Sequence, residues 1–294
     1  MRHSSDSPRK SRTSNKRIVG TIIGVAAAAL VLLVTPFVVQ RLAFIPRPLD
    51  QARVQPSYWG LPKATLLRLQ SGSDAVLAAW WVPHQSNRPL ACGTVLVFGG
   101  NMGNITDRAR TAAGLSSRGV DVMLFDYRGF GASSGHPTET GLNEDAIAAY
   151  KAALARTPGG ASRLVLFAHS LGSVPAIALA SGARVGGIVL LAPYASIRHA
   201  VASRSIVLKP LAWLIPDSIY APARHAAAIR APVLIASGGR DKFVDRQTTD
   251  SLFQSFGEPK WRVHSVLATH NGLLADTMVW RNIDQFLSHV LPCH

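Results

Sequence analysis

Beginning at Ala64, short apolar runs of β type alternate with segments of helical character. This rhythm restricts the fold more than any other feature of the 294-residue sequence. Residues 65–69 and 76–82 read as an opening hairpin about Ser71-Gly72-Ser73-Asp74. Further strands are expected at 94–98, 120–125, 164–167, 188–191, 233–236 and 262–267, with helices near 105–117, 142–155 and 174–180. The acidic residues Glu139, Glu144 and Asp145 are expected to crowd the start of the second helix, where the helix dipole favours them. Strands and helices alternating at this spacing imply a mainly parallel sheet covered on both faces. One insertion, residues 194–228, breaks the rhythm. It carries Leu208, and then Leu211, Trp213, Leu214 and Ile215 between Pro210 and Pro216. It reads either as a small cap that shapes an apolar pocket or as ordinary surface packing.

Ser170 stands at one of the strand-to-helix junctions, in Ala168-His169-Ser170-Leu171-Gly172. A serine flanked by very small residues at such a turn has its hydroxyl presented outward. The close approach of backbone there leaves little room beyond Gly or Ala at 168 and 172. A serine hydroxyl needs a base to take its proton and an acid to orient that base. Asp241 follows the strand 233–236 directly, at the carboxyl end where sites in open α/β sheets form. Asp245 is the alternative, better suited to starting a helix. Of the histidines beyond Asp241, His264 falls within a predicted strand, and His289 and His294 in the terminal helix and tail. His270, in Ala268-Thr269-His270-Asn271-Gly272, occupies a loop just past the last strand and is the expected base. Acyl transfer also needs donors for an oxyanion. The N–H of Leu171 is one candidate. The Gly99-Gly100-Asn101-Met102-Gly103-Asn104 loop supplies the other, through Asn101 or alternatively Met102. No Gly-Lys-Ser/Thr sequence follows this loop, so a phosphate-binding reading is weak.

Residues 18–39 form a 22-residue stretch without a charge, long enough as a helix for a hydrocarbon core of roughly 30 Å. Arg2, Arg9, Lys10, Arg12, Lys16 and Arg17 precede it against Asp6 alone, which predicts a cytoplasmic N-terminus and a translocated remainder. A cleaved signal peptide is the rival. The Ala26–Ala29 run lies mid-segment, with Leu30 to Val34 still to come, and that favours an uncleaved anchor. The formal charge of +15 owes +5 to the first 17 residues. After them no basic block with interleaved aromatics occurs, so a nucleic-acid partner is not expected. Cys92 and Cys293 are too few for a disulfide framework and read as incidental.

Four blocks together are similar to the α/β-hydrolase superfamily, in particular a small membrane-anchored branch related to serine aminopeptidase-like hydrolases. They are Phe98-Gly99-Gly100-Asn101-Met102-Gly103-Asn104, Asp126-Tyr127-Arg128-Gly129-Phe130-Gly131-Ala132-Ser133, the turn around Ser170, and the Asp241 and His270 loops. Phe44-Ile45-Pro46 is similar to that branch as well. The resemblance implies an eight-stranded, mainly parallel sheet with helices on both faces and a small cap. It also implies the chain order Ser170, Asp241, His270 for a catalytic triad. The Asp126–Ser133 block is expected to be structural. Two positions depart from the pattern, Gly99 where relatives usually carry His and Ala168 where they usually carry Gly.

The expected organisation is a basic tail at 1–17, a transmembrane anchor at 18–39, a linker at 40–63 and an α/β domain at 64–294. The expected activity is serine hydrolysis of an ester or thioester, on a small-molecule or lipid-like acyl substrate outside the cytoplasm, without metal or organic cofactor. A serine peptidase and a non-catalytic scaffold are the rivals.

Overall fold

A computed structural model describes residues 44–193 and 221–293. Its centre is an eight-stranded sheet whose inner strands are built from mainly apolar runs. Strands β2 (Thr65–Ser71) and β3 (Ala75–Val82) form the expected antiparallel hairpin, turning at Gly72 with φ 58°. β3 also runs antiparallel to β6 (Asp121–Phe125). The others are mutually parallel: β4 (Thr94–Phe98), β7 (Leu164–His169), β8 (Gly187–Leu191), β9 (Val233–Gly238) and β10 (Lys260–Ser265). Their spatial order is β10-β9-β8-β7-β4-β6-β3-β2.

All residues of β4, β7, β8 and β9 are buried, as a sheet covered on both faces demands. Strand periodicity divides them between two cores. Leu96, Phe98, Leu166, Ala168, Ile188 and Leu190 face the helices α2 (Glu139–Leu154) and α3 (Ser173–Gly182). Val95, Val97, Val165, Phe167, Val189 and Leu191 face α1 (Ala109–Ser116) and the C-terminal helix Thr277–Val290. Each fully buried Leu, Ile or Phe contributes roughly 1.5–3 kcal/mol of transfer free energy, so the central strands anchor everything built at their carboxyl ends.

Three local expectations are corrected. Helix α2 begins at Glu139 behind Thr138, whose Oγ1 accepts from the Gly141 N–H at 3.0 Å, and only Glu139 lies in its first turn. Glu144 and Asp145 instead hold the buried Arg128, at 2.7 and 3.0 Å, and Ser71 Oγ donates to Asp145 at 2.6 Å. This network ties the Asp126–Ser133 block to α2 and to the β2–β3 turn. The last strand ends at Ser265, leaving Val266 and Leu267 apolar but exposed. Cys92 and Cys293, read as incidental, form a disulfide across a sequence separation of 201 with Cα atoms 4.9 Å apart. The fold brings the start of β4 beside the chain's C-terminal end, a proximity that spacing in sequence does not reveal.

Of the segment expected as a linker, residues from Phe44 onward lie along the domain. β1 (Ile45–Pro46) pairs in parallel with β5 (Met102–Gly103), and Phe44, Val54 and Leu61 are buried. The Leu49 N–H donates to the Gly131 carbonyl at 2.9 Å. The anchor expected at 18–39 and residues 194–220 of the expected cap lie outside the described residues. Among the described residues no helix is long and apolar enough to cross a membrane.

Candidate active site

β7 ends at His169, and the chain turns through Ser170–Gly172 into α3. Ser170 has φ 55°, a left-handed conformation that a side-chain-bearing residue holds only under constraint from its surroundings. Two such constraints are visible. Ser173 Oγ donates to the Ser170 carbonyl at 2.7 Å. Gly172 lies so close to β4 that a Cβ on it would sit 2.6 Å from the carbonyl oxygens of both Phe98 and Gly99. Only glycine fits at 172, whereas Ala168 is accommodated in the core opposite Phe98.

Asp241 and His270 come from the loops after β9 and β10, and the structure brings them together. His270 Nδ1 lies 2.7 Å from Asp241 Oδ2, while Asp241 Oδ1 accepts from the N–H groups of Phe243 and Val244 at 2.8 and 2.9 Å. Both carboxylate oxygens are thus committed, and the side chain is only 1% exposed. Burial opposes ionisation of Asp241, but the His270 hydrogen bond and charge, with the two backbone donors, outweigh it and hold the carboxyl below its ordinary range. Phe243 lies edge-on to the His270 ring at 5.2 Å. No hydrogen bond joins Ser170 Oγ to His270 in this structure. Asp245, the alternative acid, caps the helix Arg246–Ser255 by accepting from the Thr248 N–H at 2.7 Å. His264 sits in β10 with Nδ1 2.9 Å from Ser237 Oγ, and His289 packs on Trp261.

His169, passed over in the sequence, joins the serine turn to the His270 loop. Its Nε2 lies 3.2 Å from the His270 carbonyl, and the two rings are 4.9 Å apart. A carbonyl only accepts, so Nε2 carries the proton. Burial, then the neighbouring His270 imidazole, pushes the His169 ring down to about 3 and keeps it neutral. In a pentapeptide that reads as small residues around a serine, nothing marks this histidine.

The loop after β4 passes directly beside the serine, with a Cβ on Gly100 falling 3.7 Å from Ser170 Cβ. Leu171 is buried at the start of the turn. Asn101 and Met102 follow Gly100, Met102 entering β5 with its side chain exposed. The loop is held from outside by Ile45, whose N–H donates to the Asn101 carbonyl at 2.8 Å. From beneath, Tyr127 Oη donates to the Gly99 carbonyl at 3.3 Å. Among the described residues no group of three or more His, Cys, Asp or Glu is arranged to hold a metal ion.

Residues 90–222 match the family model described as serine aminopeptidase, S33. An uncharacterized protein of Mycobacterium tuberculosis strain H37Rv is 34% identical over 213 residues, 70% of this chain and 74% of the relative. Among solved structures, a Pyrococcus furiosus esterase superposes with a TM-score of 0.68 at 18% identity, covering 84% of this chain and 98% of that one. A puromycin-hydrolyzing peptidase of M. tuberculosis gives 0.61 at 20% identity, over 78% of this chain and 40% of the other.

Proposed function

The chain belongs to the α/β-hydrolase superfamily, and on that premise we propose that it is a serine hydrolase cleaving carboxylic esters or thioesters through Ser170, His270 and Asp241. The observation that carries the reading is the 2.7 Å contact from Asp241 Oδ2 to His270 Nδ1, with His270 in turn against His169, the residue before a serine held at φ 55°. With Nδ1–H given to the carboxylate, Nε2 is left as the basic nitrogen. Ser170 Oγ attacks the acyl carbon as Nε2 takes its proton. The N–H groups of Leu171 and Asn101, with Met102 as the alternative to Asn101, receive the oxyanion. The imidazolium returns its proton to the departing alcohol or thiol. Water, deprotonated by the same nitrogen, then releases the acid from the acyl-enzyme.

An amide substrate is the second reading. The serine aminopeptidase family model and the peptidase among the structural neighbours favour it. The full chain in detergent separates these readings. Ester turnover and fluorophosphonate labelling, both lost in Ser170→Ala, are expected. Cleavage of aminoacyl p-nitroanilides without ester turnover would replace the esterase by the peptidase. A folded wild type that neither labels nor turns over any substrate would leave a non-catalytic scaffold.

The reading includes a membrane anchor at 18–39, with the hydrolase domain on the extracytoplasmic side. The Cys92–Cys293 disulfide supports that placement, because such bonds persist in oxidising compartments. A reporter fused after residue 290 is expected to signal outside the cytoplasm, and a cytoplasmic signal would overturn the orientation.

A further inference from the structure

The loop that carries Asn101 is braced by a cation. Gly99 has no side chain, and the space beside its Cα is filled by the guanidinium of Arg108. A Cβ on Gly99 would fall 2.5 Å from Arg108 Cζ and Nε and 2.7 Å from Nη2. The same group donates from Nη1 to the Asn104 carbonyl at 2.8 Å and from Nη2 to the Met102 carbonyl at 3.4 Å. One planar fork therefore touches the loop at its first residue and near its end, a geometry that an ammonium cannot reproduce. Arg108 is itself fixed by the short 3₁₀ turn Ile105–Arg108. The Asn104 side chain caps this turn by accepting from the Thr106 N–H at 3.0 Å, and Asp107 Oδ2 accepts from the Asn104 N–H at 3.0 Å. Behind it lies Asp126, a buried carboxyl whose Oδ2 has no hydrogen-bond partner and on which the Arg108 charge acts. That charge is felt at His169 as well, one residue from Ser170.

We infer that Arg108 is the positioning residue of the oxyanion loop. Its guanidinium occupies the volume left by Gly99 and fixes the carbonyls of Met102 and Asn104, so that the N–H groups of Asn101 and Met102, which lie between Gly99 and the Met102 carbonyl, are held in the loop beside Ser170. The arginine touches neither substrate nor nucleophile. It acts through the loop, and its fixed positive charge adds to the field in which the oxyanion forms. This rests on the serine-hydrolase reading, and the test keeps the two apart.

The full chain in detergent is assayed on a short p-nitrophenyl ester and titrated with a trifluoromethyl ketone bearing a short alkyl chain, which forms a tetrahedral adduct. In Arg108→Ala, kcat and the affinity for the ketone are expected to fall together by about 10- to 100-fold, less than loss of a whole oxyanion donor, while KM stays close to wild type. Arg108→Lys keeps the charge without the fork and is expected to recover only a minor part. Gly99→Ala displaces the guanidinium and should cost a similar factor, and adding Arg108→Ala to it should cost little more. Equal kcat in wild type and Arg108→Ala would overturn the inference, as would full recovery by lysine or multiplied losses in the double variant. A wild type inert to both ester and fluorophosphonate would instead remove the hydrolase reading beneath it.

Discussion

The two halves of the candidate site are held by opposite means. On one side, Asp241 and His270 fix each other through their own side chains, and the carboxylate is completed by two backbone donors within three residues of it. On the other, the loop 99–104 contributes backbone and takes its shape from elsewhere, from Arg108, Tyr127 and the strap at Ile45. The proposed acid–base half is nearly self-sufficient, whereas the proposed oxyanion half depends on three supports drawn from different stretches of chain. Substitutions near the first should act on proton transfer. Those behind the second should act on charge stabilisation while leaving the base intact.

The largest expected effect tests the first half. Asp241→Asn leaves the geometry but favours the wrong imidazole tautomer, and kcat should drop by about 10,000-fold with the thermal midpoint little changed. Combining it with Arg108→Ala sharpens the contrast. Independent halves multiply their losses, and a double variant no worse than Asp241→Asn alone would show that they work as one unit. Gly172→Ala comes next. Its methyl must push against the carbonyls of Phe98 and Gly99, separating elbow from loop, so a destabilisation of about 1–3 kcal/mol and a loss of kcat at unchanged KM are expected. Unfolding followed by circular dichroism, alongside ester kinetics, checks both.

The smallest effect concerns His169, which bonds to the His270 loop and has its Nδ1 3.5 Å from where a Cβ on Gly100 would fall. Its ring titrates at about 3 in the folded chain against an ordinary value of 6.5. Between those values the unfolded chain binds a proton that the folded chain refuses, so stability falls as pH falls from about 6.5 toward 3, by at most roughly 1.4 kcal/mol per pH unit. Asp126 works the other way. Burial lifts its carboxyl to about 7, so its contribution is present below about 4 and is lost as pH rises toward 7. Thermal midpoints measured across this range should show His169→Gln gaining on wild type toward low pH and Asp126→Asn gaining toward neutral pH. Parallel curves for all three proteins would mean that neither group couples to folding.

The asymmetry between the halves also explains what the sequence discloses. The central strands are legible because residues such as Val95, Leu96 and Val97 form unbroken apolar runs that only a doubly covered sheet can bury. Asp241 and His270 are legible as acid and base candidates because each lies in the loop beyond the carboxyl end of a strand. Arg108 is not, since an arginine early in a helix looks like solvated surface until the fold lays it against Gly99. Asp145 resembles helix-start charge until Arg128 is placed on it, and Cys92 looks idle until the C-terminal end returns to it. In each case the missing information is a contact between distant stretches, which neither local propensity nor spacing encodes.

The bond from the Ile45 N–H to the Asn101 carbonyl has a further consequence, one of reach. Only six residue steps separate Val39 from Ile45, and an extended chain covers at most about 3.6 Å per step, roughly 20 Å in all. With 18–39 in a bilayer, as proposed, the loop beside Ser170 is leashed to within that distance of the membrane surface. A hydrolase on so short a leash samples a thin layer instead of a volume. For substrates dissolved in that layer, encounter becomes a search in two dimensions, whereas substrates free in solution must come to it.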